Sequence, residues 1–226
     1  MDFLEASHYL DELIKGNPPI KIKTGFKKTN PDFKLPKPSP DTDVIRNYLC
    51  KERMIDEEVV EYCIKHYDIY QSAHDHDVVF VGYDKQNTPR YATKRSTNSN
   101  VKREVYGSNK QYGFTLKAHN QSKVLNVFEG AIDLLSYCTL LKQQEVDWHS
   151  EYMLSVGGAS KAGKLLEESF LPIALTYFLS NHETEEIHLH LDNDMAGKKA
   201  TEVITHHLSE KCKVINYSNQ YDKDVN

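Results

Sequence analysis

Ile187-His188-Leu189-His190-Leu191-Asp192-Asn193-Asp194-Met195-Ala196-Gly197 opens as a short apolar strand and sets two carboxylates, two residues apart, at its end. A helical run follows from Gly197. In alternating α/β segments, sites are built at the carboxyl ends of strands. Asp192 and Asp194 suit a hard divalent cation, because Mg²⁺ takes one or two carboxylates and keeps several waters. Asp and Asn also favour turns and caps, so this pair alone reads equally as a solvated turn. A second acidic strand end tips the balance. Val124-Leu125-Asn126-Val127-Phe128-Glu129-Gly130 is another apolar strand closed by a carboxylate and a glycine. The helix beginning at Ala131 then carries Asp133, four residues after Glu129. Turn chemistry alone does not readily give two such junctions.

From these two junctions the pattern extends as β-α-β-α-β-α-β. Strands are predicted at 124–128, 152–156, 186–191 and 213–217, and helices at 131–144, 161–180 and 197–211. Such alternation implies a mostly parallel sheet, covered on both faces and joined by right-handed crossovers. Carboxyl ends of parallel strands share one rim, so Glu129, Asp192 and Asp194 are expected to converge there. Pro172 is expected to end or kink the second helix near its middle. Ser155-Val156-Gly157-Gly158-Ala159-Ser160-Lys161 is a third, glycine-rich strand end. Its backbone either approaches a phosphate or simply turns tightly.

Glu129-Gly130-x-x-Asp133 followed by Asp192-x-Asp194-x-Ala196-Gly197 resembles the TOPRIM domain of primases, topoisomerases and related nucleases, in order, strand context and spacing. The resemblance implies a Mg²⁺ site (Mn²⁺ as a substitute) with Asp192 and Asp194 as ligands and Glu129 as ligand or general base. Asp133 is implied as a supporting acid. Lys198 and Lys199 open the helix after the acidic pair, where they either meet phosphate or are ordinary exposed lysines.

Before this segment, residues 3–15 read as an amphipathic helix stopped by Gly16-Asn17-Pro18-Pro19. Four prolines between 31 and 40 mark an extended linker or a packed arm. Two helices are predicted next, over 41–53 and from an Asp56 cap onward, with Glu57 and Glu58 suited to the first turn. The period then changes: residues 78–83 and 89–94 form a hairpin around Asp84-Lys85-Gln86-Asn87. A polar, basic stretch overlaps and follows it, holding Arg90, Lys94, Arg95, Asn98, Asn100, Lys102 and Arg103. A solvated loop explains this composition. So does a groove that tracks phosphates of a single strand. Two helices, a hairpin, a basic loop and Tyr106-Gly107 ahead of the TOPRIM pattern resemble the catalytic core of bacterial replicative primases, in the form found in plasmids, phages and other mobile elements. Lys94, Arg95 and Tyr106-Gly107 carry that likeness. Tyr221-Asp222-Lys223-Asp224-Val225-Asn226 is similar to the Lys-Asp-x-Asn motif that follows TOPRIM in the mobile-element proteins, which adds Asp224 as a supporting acid. The first helix resembles the one ending the zinc-binding domain ahead of many primase cores. On that basis the chain is expected to be a fragment, with a zinc-binding segment before Met1 and more chain after Asn226.

The 226 residues are 39% hydrophobic and 27% charged, enough for a real core and a solvated surface. No apolar run approaches the ~20 residues that span a bilayer, and no signal peptide is visible. The net charge of −5 means that nucleic-acid binding must come from a local patch. Four separated cysteines suit a reducing cytoplasm rather than a disulfide framework. The histidines lack the paired spacing of a zinc site. His188 and His190 face one side of their strand in an interior or rim role, and His206 and His207 an exposed helix face.

The reading is an α/β chain in three parts: an N-terminal helix and linker (1–40), a basic α+β primase-like subdomain (41–120), and a TOPRIM domain (121–226). The resemblance implies a Mg²⁺-dependent nucleotidyltransferase acting on single-stranded DNA and nucleoside triphosphates, with a helicase or other replication protein as partner. A TOPRIM nuclease and a non-catalytic nucleic-acid-binding module are the alternatives.

Overall fold

The structure, a computed structural model, describes residues 32–158, 166, 169–220 and 222–226. The helix expected at 3–15, part of the first half of the one expected at 161–180 and the end of the glycine-rich loop lie outside them.

The proline-containing stretch is a packed arm. Ser39 N donates to Gln71 O at 2.8 Å, and Ala73 N donates to Lys37 O at 2.8 Å. Helix α1 (Asp43–Asn47) continues as a π-helical turn over Tyr48–Glu52, where one regular helix had been predicted. α2 (Glu57–Lys65) starts as predicted, with the Asp56 carboxylate accepting from Glu58 N at 2.9 Å. An antiparallel meander follows: β1 (Ile69–Gln71), β2 (Val78–Tyr83), β3 (Pro89–Arg95) and β4 (Lys102–Glu104). β4 converts part of the expected basic loop into an edge strand, with Lys94 opposite Arg103 and Arg95 opposite Lys102.

The second sheet takes β5 (Thr115–Leu116), then β6 (Val124–Phe128) and helix α3 (Ala131–Gln143). β7 (Tyr152–Ser155), α4 (Ile173–Leu179), β8 (Glu186–His190), α5 (Met195–Leu208) and β9 (Lys213–Asn216) complete it. The strand order is β5-β7-β6-β8-β9, parallel except for β5. Pro172 stands ahead of α4, not inside a helix. It has no N–H to donate, but its carbonyl accepts from Thr176 N at 2.9 Å and so begins the first turn.

Alternation along the strands gives the sheet two different faces. Leu125, Val127, Ile187 and Leu189 pack under α4 and α5 with Leu175, Phe178, Ala200 and Ile204. On the other face Phe128 and Met153 join Leu134, Leu135 and Cys138 of α3 in a core that continues into Ile45, Leu49, Val60 and Phe80. Both halves of the chain therefore share one core. Thr139 Oγ1 accepts from Asp56 N at 3.0 Å, and Lys142 pairs with Asp56 and Glu58, fastening α3 to α2. His188 and His190 do share a face, both reaching the buried Asn126 Oδ1, at 3.2 and 3.0 Å. Burial, followed by the nearby His188, pushes His190 down to about 3. His207, expected on an exposed face, is half-buried instead, with Nε2 at 2.9 Å from Ser169 O. No helix among the described residues is long and apolar enough to cross a membrane.

Candidate metal centre and cleft

β6 and β8 are neighbours in register, Phe128 opposite His190. Glu129 and Asp192 therefore leave the sheet side by side on the rim where the sequence places them. The Glu129 carbonyl is fixed by Gly158 N at 3.1 Å and Ser155 Oγ at 3.3 Å, so the glycine-rich turn after β7 serves the backbone of an acidic strand end. Gly157 in that turn has φ +74°, and a Cβ there would lie 2.5 Å from the Tyr91 hydroxyl. Asp194 caps α5, its Oδ1 accepting from Gly197 N at 2.8 Å. A Cβ on Gly197 would fall 2.0 Å from the Asp192 carbonyl oxygen, which is why a glycine follows the two acids so closely.

Asp192, Asp133, Glu129 and Asp224 are half-buried and Asp194 is exposed. Burial, then repulsion from Glu129, Asp133, Asp224 and Asp194, pushes Asp192 up to about 7. Asp133 is raised as well, by burial and then by Asp224, with Lys102 acting in opposition. Asp192 thus feels the other four acids. Among the described residues, however, no three His, Cys, Asp or Glu side chains are already gathered closely enough to hold a metal ion. The donor set fits a hard cation: every group is a carboxylate oxygen, and their mutual repulsion is what a divalent charge relieves. Lys198 is exposed on the first turn of α5, while Lys199 pairs with Glu202 at 3.3 Å.

Beside the rim lies a cleft of about 470 Å³, lined by Arg53, Lys94, Arg95, Asn100 and Lys102 from the first half of the chain and by Gly130, Asp133, Lys223, Asp224 and Asn226 from the second. The five predicted nucleic-acid contacts divide. Arg95 and Lys102 face this cleft; Arg95 Nε donates to the Tyr48 hydroxyl at 3.0 Å. Lys94 also lines it but is only 15% exposed and is ion-paired with Asp75 and with the buried Asp77, the latter at 3.1 Å. Burial opposes ionisation of Asp75, yet hydrogen bonds from Lys94 and Ser72 outweigh it and hold the carboxyl well below its usual range. Arg103 is 63% exposed, at 3.8–3.9 Å from the same two acids. Arg90 sits four residues from Lys94, about 13 Å along the strand, and pairs with Asp84 at 2.7 Å, outside the cleft lining.

Sequence reasoning missed Arg53, which lines the cleft from the end of the π turn, and Asp75 and Asp77 as partners of Lys94. The alternating Asp75-x-Asp77 beside a basic strand was the available signal, but the pairing is made across the sheet and leaves no sequence spacing.

Residues 47–121 match the family described as "Protein of unknown function (DUF3991)", and residues 126–226 match the family described as "Toprim-like". No curated protein matches the sequence. The fold is similar to the primase fragment of the bacteriophage T7 primase-helicase protein, with TM-score 0.52 and 21% identity over 73% of this chain and 61% of that one. The chain thus spans about three fifths of that phage fragment. It is also similar to the E. coli primase catalytic core, with TM-score 0.48 and 13% identity over 79% of this chain and 66% of that one. With an acidic rim at the ends of β6 and β8, the chain carries a Toprim-like domain over residues 126–226 and shares the fold of a phage primase fragment.

Proposed function

We propose that this chain is the catalytic core of a primase-like nucleotidyltransferase, joining nucleoside triphosphates on a single-stranded DNA template with Mg²⁺ or Mn²⁺. The observation that carries the reading is one cleft with opposite walls: Arg53, Arg95 and Lys102 face Asp133 and Asp224, next to the strand-end acids. Glu129, Asp192 and Asp194 would hold the metal, with Asp133 and Asp224 behind them. A bound divalent ion supplies positive charge to the phosphoryl oxygens and to the attacking hydroxyl.

The chain's own groups do the rest. Arg95 and Lys102 bind phosphate oxygens and align template and triphosphate for in-line attack. Glu129 either completes the ligand set or takes the proton of the 3′ hydroxyl. Lys94 holds Asp75 and Asp77 and so keeps the β3–β4 edge in place, while Arg103 meets the strand further out. Arg90, away from the cleft, contacts nucleic acid only if the strand runs along the hairpin. Lys198 would meet phosphate at the start of α5. A helicase or another replication protein is the partner this reading expects, and four free thiols suit the cytoplasm.

Incubation with a single-stranded template, labelled nucleotides and Mg²⁺ or Mn²⁺ tests the proposal. Labelled oligomers are expected. Shortened template would replace the reading with a nuclease, and template binding with neither product would reduce the chain to a binding module.

A further inference from the structure

The last residues of the chain are tied to three separate parts of the molecule. Asn226 Nδ2 carries two hydrogens and donates one to the Arg53 carbonyl and one to Ser136 Oγ, both at 2.8 Å. Arg53 ends the π turn of the first half; Ser136 lies on α3, three residues after Asp133 and therefore on the same helix face. Val225 packs against the shared core. Lys223 O accepts from Asn193 N at 2.6 Å, which fixes the tail to the turn between Asp192 and Asp194. Asn226 N, in turn, donates to Asp224 Oδ1 at 3.2 Å. Asp224 is held between these ties and lines the cleft together with Arg53 and Asp133.

We propose that Asn226 is a positioning residue, whose amide sets Arg53 on one wall of the cleft against Asp224 on the other, so that a metal-bound triphosphate spans the two. The inference deepens the nucleotidyltransferase reading and takes from it the class of ligand. Its chemistry is specific to an amide. Alanine removes both donors. Aspartate keeps the shape but sets a carboxylate oxygen against the Arg53 carbonyl, acceptor facing acceptor. Neither change touches the core, since the Asn226 side chain is on the surface. Arg53 also keeps its guanidinium at 5.8 Å from the centre of the Tyr48 ring, a contact that does not depend on Asn226. What changes is the distance between a cation and an anion across the cleft, and with it the fit of a polyphosphate carrying a divalent ion.

The test uses the full chain with Asn226→Ala and Asn226→Asp, plus Ser136→Ala, which removes one of the two acceptors. Two quantities are measured: hydrogen exchange of the Asn193 amide without metal, and Mn²⁺ affinity by titration. Loss of two hydrogen bonds predicts that both Asn226 variants speed Asn193 exchange and weaken Mn²⁺ binding by about tenfold, with Ser136→Ala in between. The triphosphate concentration at half-maximal binding should rise in the same order. Mn²⁺ affinity within twofold of the parent in both Asn226 variants overturns the inference, even if Asn193 exchanges faster, because the tail is then structural only. If affinity falls as expected but no oligomers form, positioning stands and nucleotidyl transfer falls. If the parent binds no Mn²⁺, the metal reading fails separately, and triphosphate binding unchanged by the Asn226 variants overturns the positioning role.

Discussion

The hairpin side of the cleft and the acidic rim beside it treat charge in opposite ways. On the hairpin side Lys94, which lines the cleft, sits between Asp75 and Asp77, and Arg90, outside the cleft, is matched by Asp84. On the rim, carboxylates face carboxylates, and Asp192 is pushed up to about 7 by burial and its acidic neighbours. A neutralised wall holds its shape without a ligand. A wall of like charges is poised for a cation, and its protonation stands in for that cation in the metal-free state.

The comparison breaks most visibly at Asp192. Asp192→Asn should abolish Mg²⁺-dependent synthesis and the metal-induced rise in melting temperature, while raising metal-free stability at pH 8. The folded value of Asp192 lies above the ordinary 3.8, so its protonated form favours the fold. That contribution is complete below about pH 4 and is lost as pH rises towards and through 7. Melts of the parent without metal should therefore weaken across that window, and those of Asp192→Asn should weaken less. Equal pH profiles for the two proteins would place the repulsion elsewhere.

Next in size is Lys94→Ala. Asp77 is only 5% exposed, and removing its partner strands a buried charge, so roughly 3 kcal/mol of stability should go. Lys102→Ala should leave stability within about 0.5 kcal/mol, because β4 is an exposed edge. Yet Lys102→Ala should reduce the salt dependence of single-strand binding by about one phosphate's worth of slope. Urea melts and salt titrations of both variants decide whether the hairpin wall divides into a structural and a binding cation. Smallest is the contrast at Asp194. Asp194→Ala loses a helix cap worth about 1 kcal/mol, whereas Asp194→Ser keeps the cap. Both should lose metal affinity alike, which separates capping from ligation.

Most of the second sheet was legible in the sequence because β6, β7 and β8 are followed closely by acids or glycines, each cue local to the chain. The convergence of Glu129 and Asp192 followed from parallel strands sharing a rim. Short edge pieces were not legible: β1, β4 and β5 have two or three residues each, too few for a period to declare itself. The roles of Lys94 and Arg90 were hidden for another reason. A basic residue looks the same in sequence whether it faces solvent or an aspartate in the neighbouring turn or strand end. Pro172 was read as a break inside a helix because proline marks a discontinuity without saying on which side the helix lies.

The continuity of the core through Ile45, Val60, Phe80, Phe128 and Leu134 bears on how the chain is divided in the laboratory. A cut between residues 116 and 124 would leave each piece with a freshly exposed apolar face, and β5 would part from the sheet it borders. Neither piece alone should be a well-behaved reagent. Co-expressed from two cistrons, the pieces should find each other through those faces and copurify.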